Sequence, residues 1–281
     1  MKRVFFLFGT IIGVLVALGL AAVVGVYFWA VRDLPGFTRI ADYRPALTTT
    51  VLARDGSVIG SFYRENRFLI SLDQMPKMLP KAFLAAEDAE FYEHEGVNPV
   101  AIFRAFLINL QSGTKRQGGS TITQQLIKNN VLGGGRETSF GAKLERKLKE
   151  QYLAVQLTKV MDKETVLVNY LNTINLGNNT LGVKMAARRY FDKEVSELTL
   201  SESAVIAGIT QNPARLNPLG GREANEEKRR VILQYMEEQG YITEEERQEA
   251  LADPVYDRIQ SVDVARQEAD RVYSYFTDET I

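Results

Sequence analysis

The chain has no cysteine, and its 281 residues hold one histidine and a formal net charge of −1. Without cysteine there is no disulfide framework, thiolate metal site or cysteine nucleophile. A lone histidine, His94, cannot assemble the ligand set of a zinc site. No GxSxG context accompanies it to suggest a Ser-His-Asp hydrolase, so it is read as a structural hydrogen-bonding residue. "SGTK" at residues 112–115 fits an SxxK pattern, but neither an SxN-type triad nor a KTG follows, and the match is read as chance. The near-neutral total speaks against a general nucleic-acid-binding surface. Repeats and low-complexity tracts are lacking too. What is left is the composition of a globular protein, one large domain or two ordinary ones.

Charge is missing altogether from residues 4–31, "VFFLFGTIIGVLVALGLAAVVGVYFWAV". A spanning helix needs about 20 apolar residues, and this run exceeds both that length and the apolar core of a cleaved signal peptide. Lys2 and Arg3 precede it, which puts that end in the cytoplasm and the rest of the chain outside the membrane. Residues 1–32 are therefore expected to be a cytoplasmic tip and anchor. Residues 33–75 read as a short β-containing linker, because "TTTVLARDGSVIGSF" places two β-branched runs around Asp55-Gly56. Helical periodicity takes over from Met78. Asn98 and Pro99 open one helix, and Ser120 or Thr121 can cap a second. A long helix is expected through "AKLERKLKEQYLAVQLTKVM". Asp162 can cap another, whose stripe is Val166, Leu167, Tyr170, Leu171 and Ile174. Thr199 with Glu202, and Thr243 with Glu246, make capping boxes. Residues 76–250 thus read as one mainly α domain, with 251–281 as a trailing linker.

Three stretches can carry chemistry. "EDAEFYEHEG" (residues 87–96) holds five carboxylates and the histidine. On a helix running through it, Glu87, Glu90 and Phe91 share a side. Beside Phe83 and Phe91, Glu87 would be partly desolvated, which raises its proton affinity and makes it a better base. The competing reading is a solvated acidic helix end. "GGSTITQQLIKN" leads a Gly-Gly turn into a helix N-terminus with hydroxyls, two glutamines and Lys128, a setting for a phosphate or sugar oxygen or simply a capped polar helix. "AKLERKLKEQ" lies in a segment, residues 104–150, with nine Lys or Arg against three Glu. Lys143, Arg146 and Lys147 there suit an anionic ligand. Glu150 is either an ion-pair partner of Arg146 or a ligand for a divalent cation that bridges to a pyrophosphate. Phe103, Phe106 and Leu107 are expected to line the core.

These motifs, with "KETVLVNYLNTINLG" and "GVKMAARRYFDKEVSELTLSESAVIAG", resemble in order and spacing the peptidoglycan glycosyltransferases of family 51, the transglycosylase domains of class A penicillin-binding proteins. The likeness covers roughly residues 76–220. It implies a lysozyme-like, mainly α glycosyltransferase domain behind a transmembrane helix. It also implies polymerisation of lipid II, with the growing glycan on undecaprenyl pyrophosphate as donor, inversion at the anomeric carbon and release of the lipid pyrophosphate. By resemblance Glu87 is the general base and Glu150 the second essential carboxylate, positioning the pyrophosphate or its Mg or Mn ion. Lys128, Arg146 and Lys147 match phosphate contacts; Asp88, Ser120, Gln124 and Gln125 match substrate-binding positions. Val168 and Asn130 depart from the family pattern. Transpeptidase motifs are absent, so the chain looks like a glycosyltransferase piece ending in a linker.

The partners so implied are lipid II, the growing glycan, the cytoplasmic membrane and the cell-wall synthesis machinery, with no nucleic acid. Two other readings stand beside this one. A lysozyme-like lytic enzyme would use a single Glu as an acid on the same glycan, and a membrane-tethered scaffold would carry a degenerate site.

Overall fold

The structure is a computed structural model that describes residues 2–32, 34, 49–52, 54, 58–62, 69–112, 118–135 and 137–260. Helix α1 runs over Lys2–Val31, 30 residues or ~45 Å at 1.5 Å per residue. Its segment Gly9–Trp29 has a mean hydropathy of 2.6 and is long and apolar enough to cross a membrane. Strands β1 (Thr49–Leu52) and β2 (Val58–Phe62) pair antiparallel, Thr49 opposite Phe62, with an irregularity between Val51 and Leu52. The expected hairpin is there, although Asp55 and Gly56 at its tip lie outside the described residues.

The helical body begins at Ile70. Asn172 holds that residue from both sides, accepting from its N–H at 3.0 Å and donating to its carbonyl at 2.9 Å. Helices α2 (Met78–Glu87), α3 (Pro99–Ser112), α4 (Ile122–Asn130), α5 (Phe140–Thr158) and α6 (Lys163–Thr173) follow. The chain then forms α7 (Gly182–Phe191), α8 (Leu200–Ala207), α9 (Arg222–Glu238) and α10 (Glu244–Ala252). The sequence-derived caps hold: Asp162 accepts from Thr165 N–H, and the Thr199/Glu202 and Thr243/Glu246 boxes are closed in both directions. Each such cap is worth about 1 kcal/mol.

Helix α8 is the centre. Ser201 through Ala207 are all buried, so no face of it is left for water, and α2, α7, α9 and α10 pack around it. The α6 stripe (Val166, Leu167, Tyr170, Leu171 and Ile174) is buried as its spacing requires. Tyr170 meets Phe83 of α2 edge-on at 6.2 Å. Helix α4 rests on both α5 and α6, and α1 leans on α5, where Tyr27 meets Tyr152.

Two expectations are overturned. Helix α2 stops at Glu87 because Asp88 leaves helical geometry (φ −161°, ψ 73°), so Glu90 and Phe91 sit in the following turn, not one helical step above Glu87. The apolar residues of α3 face outward: Phe103 and Phe106 are 62% and 60% exposed, and Val100, Leu107 and Leu110 are exposed with them. Spacing alone marks an apolar face but cannot say what covers it. Residues up to Gln260 make contacts with the helical body. Val255 is buried, Arg258 and Lys193 meet on buried Glu202, and Gln260 N–H donates to Tyr190 carbonyl at 2.9 Å.

Candidate active site

Glu87 is the last residue of α2, and the buried Leu79, Ala82 and Phe83 fix the helix so that its C-terminus delivers that side chain among α4, α9 and the segment after α8. Part of the residue reaches solvent while its carboxyl group is enclosed by protein. Gln125 Nε2 of α4 donates to Oε2 at 2.6 Å, and Thr210 Oγ1 donates to Oε1. Burial is the strongest influence and raises the carboxyl pKa above its ordinary value. The Thr210 and Gln125 hydrogen bonds and the charges of Lys228 and Lys128 pull the other way without cancelling it. The desolvation foreseen for Glu87 is therefore present. Its proton affinity exceeds that of an exposed glutamate.

The turn after Glu87 is braced through Asp88, His94, Gly96 and Lys163. Asp88 is 7% exposed. Its carboxylate accepts from Ile122 N–H at 2.9 Å and from His94 Nε2 at 3.0 Å. Gly96 N–H donates to His94 Nδ1 at 3.1 Å, which leaves Nε2 as the protonated ring nitrogen. Lys163 Nζ donates to the carbonyls of Phe91, at 2.6 Å, and His94, and lies 4.7 Å from the Phe91 ring centre. Gly96 has φ +85°, and a Cβ there would fall 2.4 Å from Ala154 carbonyl oxygen, so only glycine fits. Asp88 thus ties the turn to the start of α4, and His94 has the structural role expected of it. Glu90 is a surface partner of Asn98 and Arg104.

Consecutive glutamines on α4 point apart, as a 100° helical step demands. Gln125 reaches Glu87. Gln124, 1% exposed, closes the capping box by accepting from Thr121 N–H at 2.9 Å. The structure brings Gln125 to the cleft and leaves Gln124 in the core. Lys128 follows Gln125 by one turn, on the same side of α4.

On α5, Glu150 is fully buried between two cations. Arg146 Nη1 donates to Oε1, and Lys147 Nζ donates to Oε2 at 2.6 Å and to Ser120 Oγ at 2.8 Å. Arg146 Nε also donates to Glu137 at 2.6 Å. The glycine loop between α4 and α5 closes this cluster: a Cβ on Gly135 would lie 3.5 Å from Arg146 Cζ and 3.6 Å from Lys128 Cδ. Lys128 therefore has Glu87 on one side and the α5 cations on the other. No group of three or more His, Asp or Glu among the described residues can hold a metal ion. Both oxygens of Glu150 are already engaged, so its surroundings do not fit the divalent cation expected there.

Thr210, Lys228, Tyr170, Lys163 and Glu137 were not singled out as site residues from the sequence. Thr210 and Lys228 lie more than a hundred residues beyond Glu87, and only the packing of α2 against α8 and α9 unites them. Lys228 is half-buried, and burial lowers its pKa while Glu87 raises it.

A family model described as Transglycosylase matches residues 55–237. Penicillin-binding protein 1A of Vibrio cholerae is 38% identical over 249 residues, 89% of this chain and 30% of that protein. The Escherichia coli protein of the same name is 40% identical over 231 residues, 82% of this chain and 26% of that protein. That of Aquifex aeolicus is 38% identical over 254 residues, 90% and 34% of the two chains. The chain thus spans about a third or less of the length of these relatives. A crystal structure of penicillin-binding protein 1A from Haemophilus influenzae aligns with 25% identity and a TM-score of 0.42, over 83% of this chain and 25% of that one.

Proposed function

The chain belongs to the transglycosylase family, and from that premise we propose that it is a peptidoglycan glycosyltransferase acting on lipid-pyrophosphate-linked sugars. Glu87 removes the proton from the acceptor's sugar hydroxyl. The freed oxygen bonds to the donor's anomeric carbon with inversion, the carbon–oxygen bond to the lipid pyrophosphate breaks, and the pyrophosphate leaves with the electron pair. Lys128, Arg146 and Lys147 receive its charge, a task for fixed cations aimed where charge develops. Glu150 and Ser120 hold Arg146 and Lys147 in place, and no step runs through a metal ion. The observation that carries this reading is the division of the site: a carboxylate under neutral hydrogen-bond donors on one side, a cation cluster on the other, and Lys128 facing both.

The raised proton affinity of Glu87 also suits the acid of a lytic enzyme. Such an enzyme releases no pyrophosphate from its glycan, and Asp88, the carboxylate adjoining Glu87 in sequence, is committed to His94 and Ile122. The cation cluster would then have no purpose. Detergent-solubilised chain incubated with labelled lipid II decides between them. Polymer from the wild type and none from Glu87→Gln is expected. Shortening of preformed glycan would favour the lytic enzyme, and no reaction on either substrate would favour the scaffold.

A membrane-borne substrate agrees with the chain's apolar surfaces. Helix α1 is the anchor, with Lys2 and Arg3 at its cytoplasmic end, and it leans on the helix that carries Arg146, Lys147 and Glu150. The outward Val100, Phe103, Phe106 and Leu110 of α3 then meet the outer membrane surface rather than water.

A further inference from the structure

The two oxygens of Glu87 have unlike partners. Gln125 presents its NH2 to Oε2, and its own Oε1 faces the hydroxyl of Tyr170 at 3.4 Å. Burial holds Tyr170 as a neutral phenol, its pKa well above the ordinary value, so its hydroxyl can donate to Gln125 Oε1 and keep the amide NH2 turned toward the ionised carboxylate. Oε2 thus meets a donor that is fixed. Oε1 meets the hydroxyl of Thr210, which is buried and has a second acceptor in reach, the Ala207 carbonyl at 3.0 Å. A hydroxyl has one proton and can serve only one of the two at a time.

We propose that Thr210 is a positioning residue for Glu87, whose hydroxyl donates to Oε1 while the carboxylate is ionised and swings to the Ala207 carbonyl once Glu87 is protonated. A general base must be stable in both states within each cycle, and this partner follows the change by rotating one hydroxyl, whereas Gln125 would have to turn its whole amide and give up its present contact with Tyr170. The inference rests on the role proposed for Glu87 above. Other groups around the carboxyl stay fixed in sign: Lys128 from α4 and Lys228 from α9 are cationic, Tyr170 from α6 is neutral, and Asp88 beside it on the chain is engaged by His94. Removing the hydroxyl takes away a charge-assisted hydrogen bond that only the ionised form enjoys, so the proton affinity of Glu87 rises further.

The test uses the whole chain in detergent, labelled with carbon-13 at glutamate side-chain carboxyls, with the Glu87 signal assigned through Glu87→Gln. In Thr210→Val, or Thr210→Ala should valine fail to fold, the Glu87 titration moves to higher pH, and Thr210→Ser restores it. At the pH where wild type is half-maximally active, polymer formation in the valine variant falls about tenfold and recovers toward wild type as pH rises. A Glu87 titration unmoved by loss of the hydroxyl, or moved equally by serine, overturns the proposal. The readouts separate the two ideas: wild-type protein that makes no polymer at any pH refutes the glycosyltransferase reading, while the carboxyl titration still decides the role of Thr210.

Discussion

Glu87 and Glu150 are the same residue type in neighbouring parts of one fold, and their surroundings make them opposites. Glu87 sits under a glutamine amide and a threonine hydroxyl, with its lysines acting at longer range, and burial prevails. Glu150 is buried more completely, yet an arginine and a lysine bond to it directly. A carboxylate left desolvated can gain and lose a proton; a carboxylate clamped by cations is a fixed strut that holds those cations in position. Sequence position says little about which is which, because both lie in motifs rich in charge.

The sharpest way to test this contrast is to neutralise each in turn. Glu87→Gln is expected to lower polymer formation by a factor on the order of 10² to 10⁴, the range for a lost general base, measured on labelled lipid II. Its stability should move the other way. The folded state raises the pKa of Glu87 above the ordinary 4.5, so its ionisation subtracts from stability in full above the raised folded pKa, and the subtraction fades as pH falls through that pKa and is gone below 4.5. The variant should therefore melt higher than wild type at neutral pH and equal to it in acid. Glu150→Gln should behave as the reverse. It takes from Arg146 and Lys147 the carboxylate they share, costing about 2–3 kcal/mol by denaturant unfolding, below the fully buried limit because both cations keep some contact with water and Arg146 keeps Glu137. Equal melting shifts in the two variants would erase the distinction.

Lys128 lies between the two regions and should report on both. In Lys128→Met the leaving-group field weakens, and Glu87 loses one of the charges that lowers its pKa. Polymer formation is expected to fall about tenfold to a hundredfold, with the acid limb of the pH profile moving upward. Arg146→Met should cost activity without moving that limb, since Arg146 is bonded to Glu150 and Glu137 instead.

Much of this frame was legible in the chain. The caps at Thr121, Asp162, Thr199 and Thr243 needed only local rules, because each closes within three residues. The α6 stripe followed from helical spacing. Glu87, Lys128, Arg146, Lys147 and Glu150 could be proposed as site residues because their motifs are contiguous. Thr210 and Lys228 could not, since their nearness to Glu87 depends on how α2, α8 and α9 stack, and no spacing encodes that. Gln124 and Gln125 look equivalent in sequence, and only the capping box at Thr121 assigns one to the core and the other to the cleft. The end of α2 was misjudged for a similar reason. Asp88 is drawn out of helical geometry by His94 and Ile122, and the latter is 34 residues away.

The outward face of α3 sharpens the comparison from outside the site. Phe103 and Phe106 are exposed, so changing both to serine removes little packed surface, and unfolding stability should stay within about 0.5 kcal/mol of wild type. If that face rests on the membrane, the double variant loses contact area there and nowhere else. Polymerisation in lipid vesicles should then fall a few-fold, while the same protein with detergent-dispersed lipid II stays near wild-type rates. The pH profile should not move, because neither side chain is among the groups acting on Glu87. Loss of activity in both media, or a displaced acid limb, would mean that α3 supports the Glu87 side of the cleft instead of the surface on which the substrate arrives.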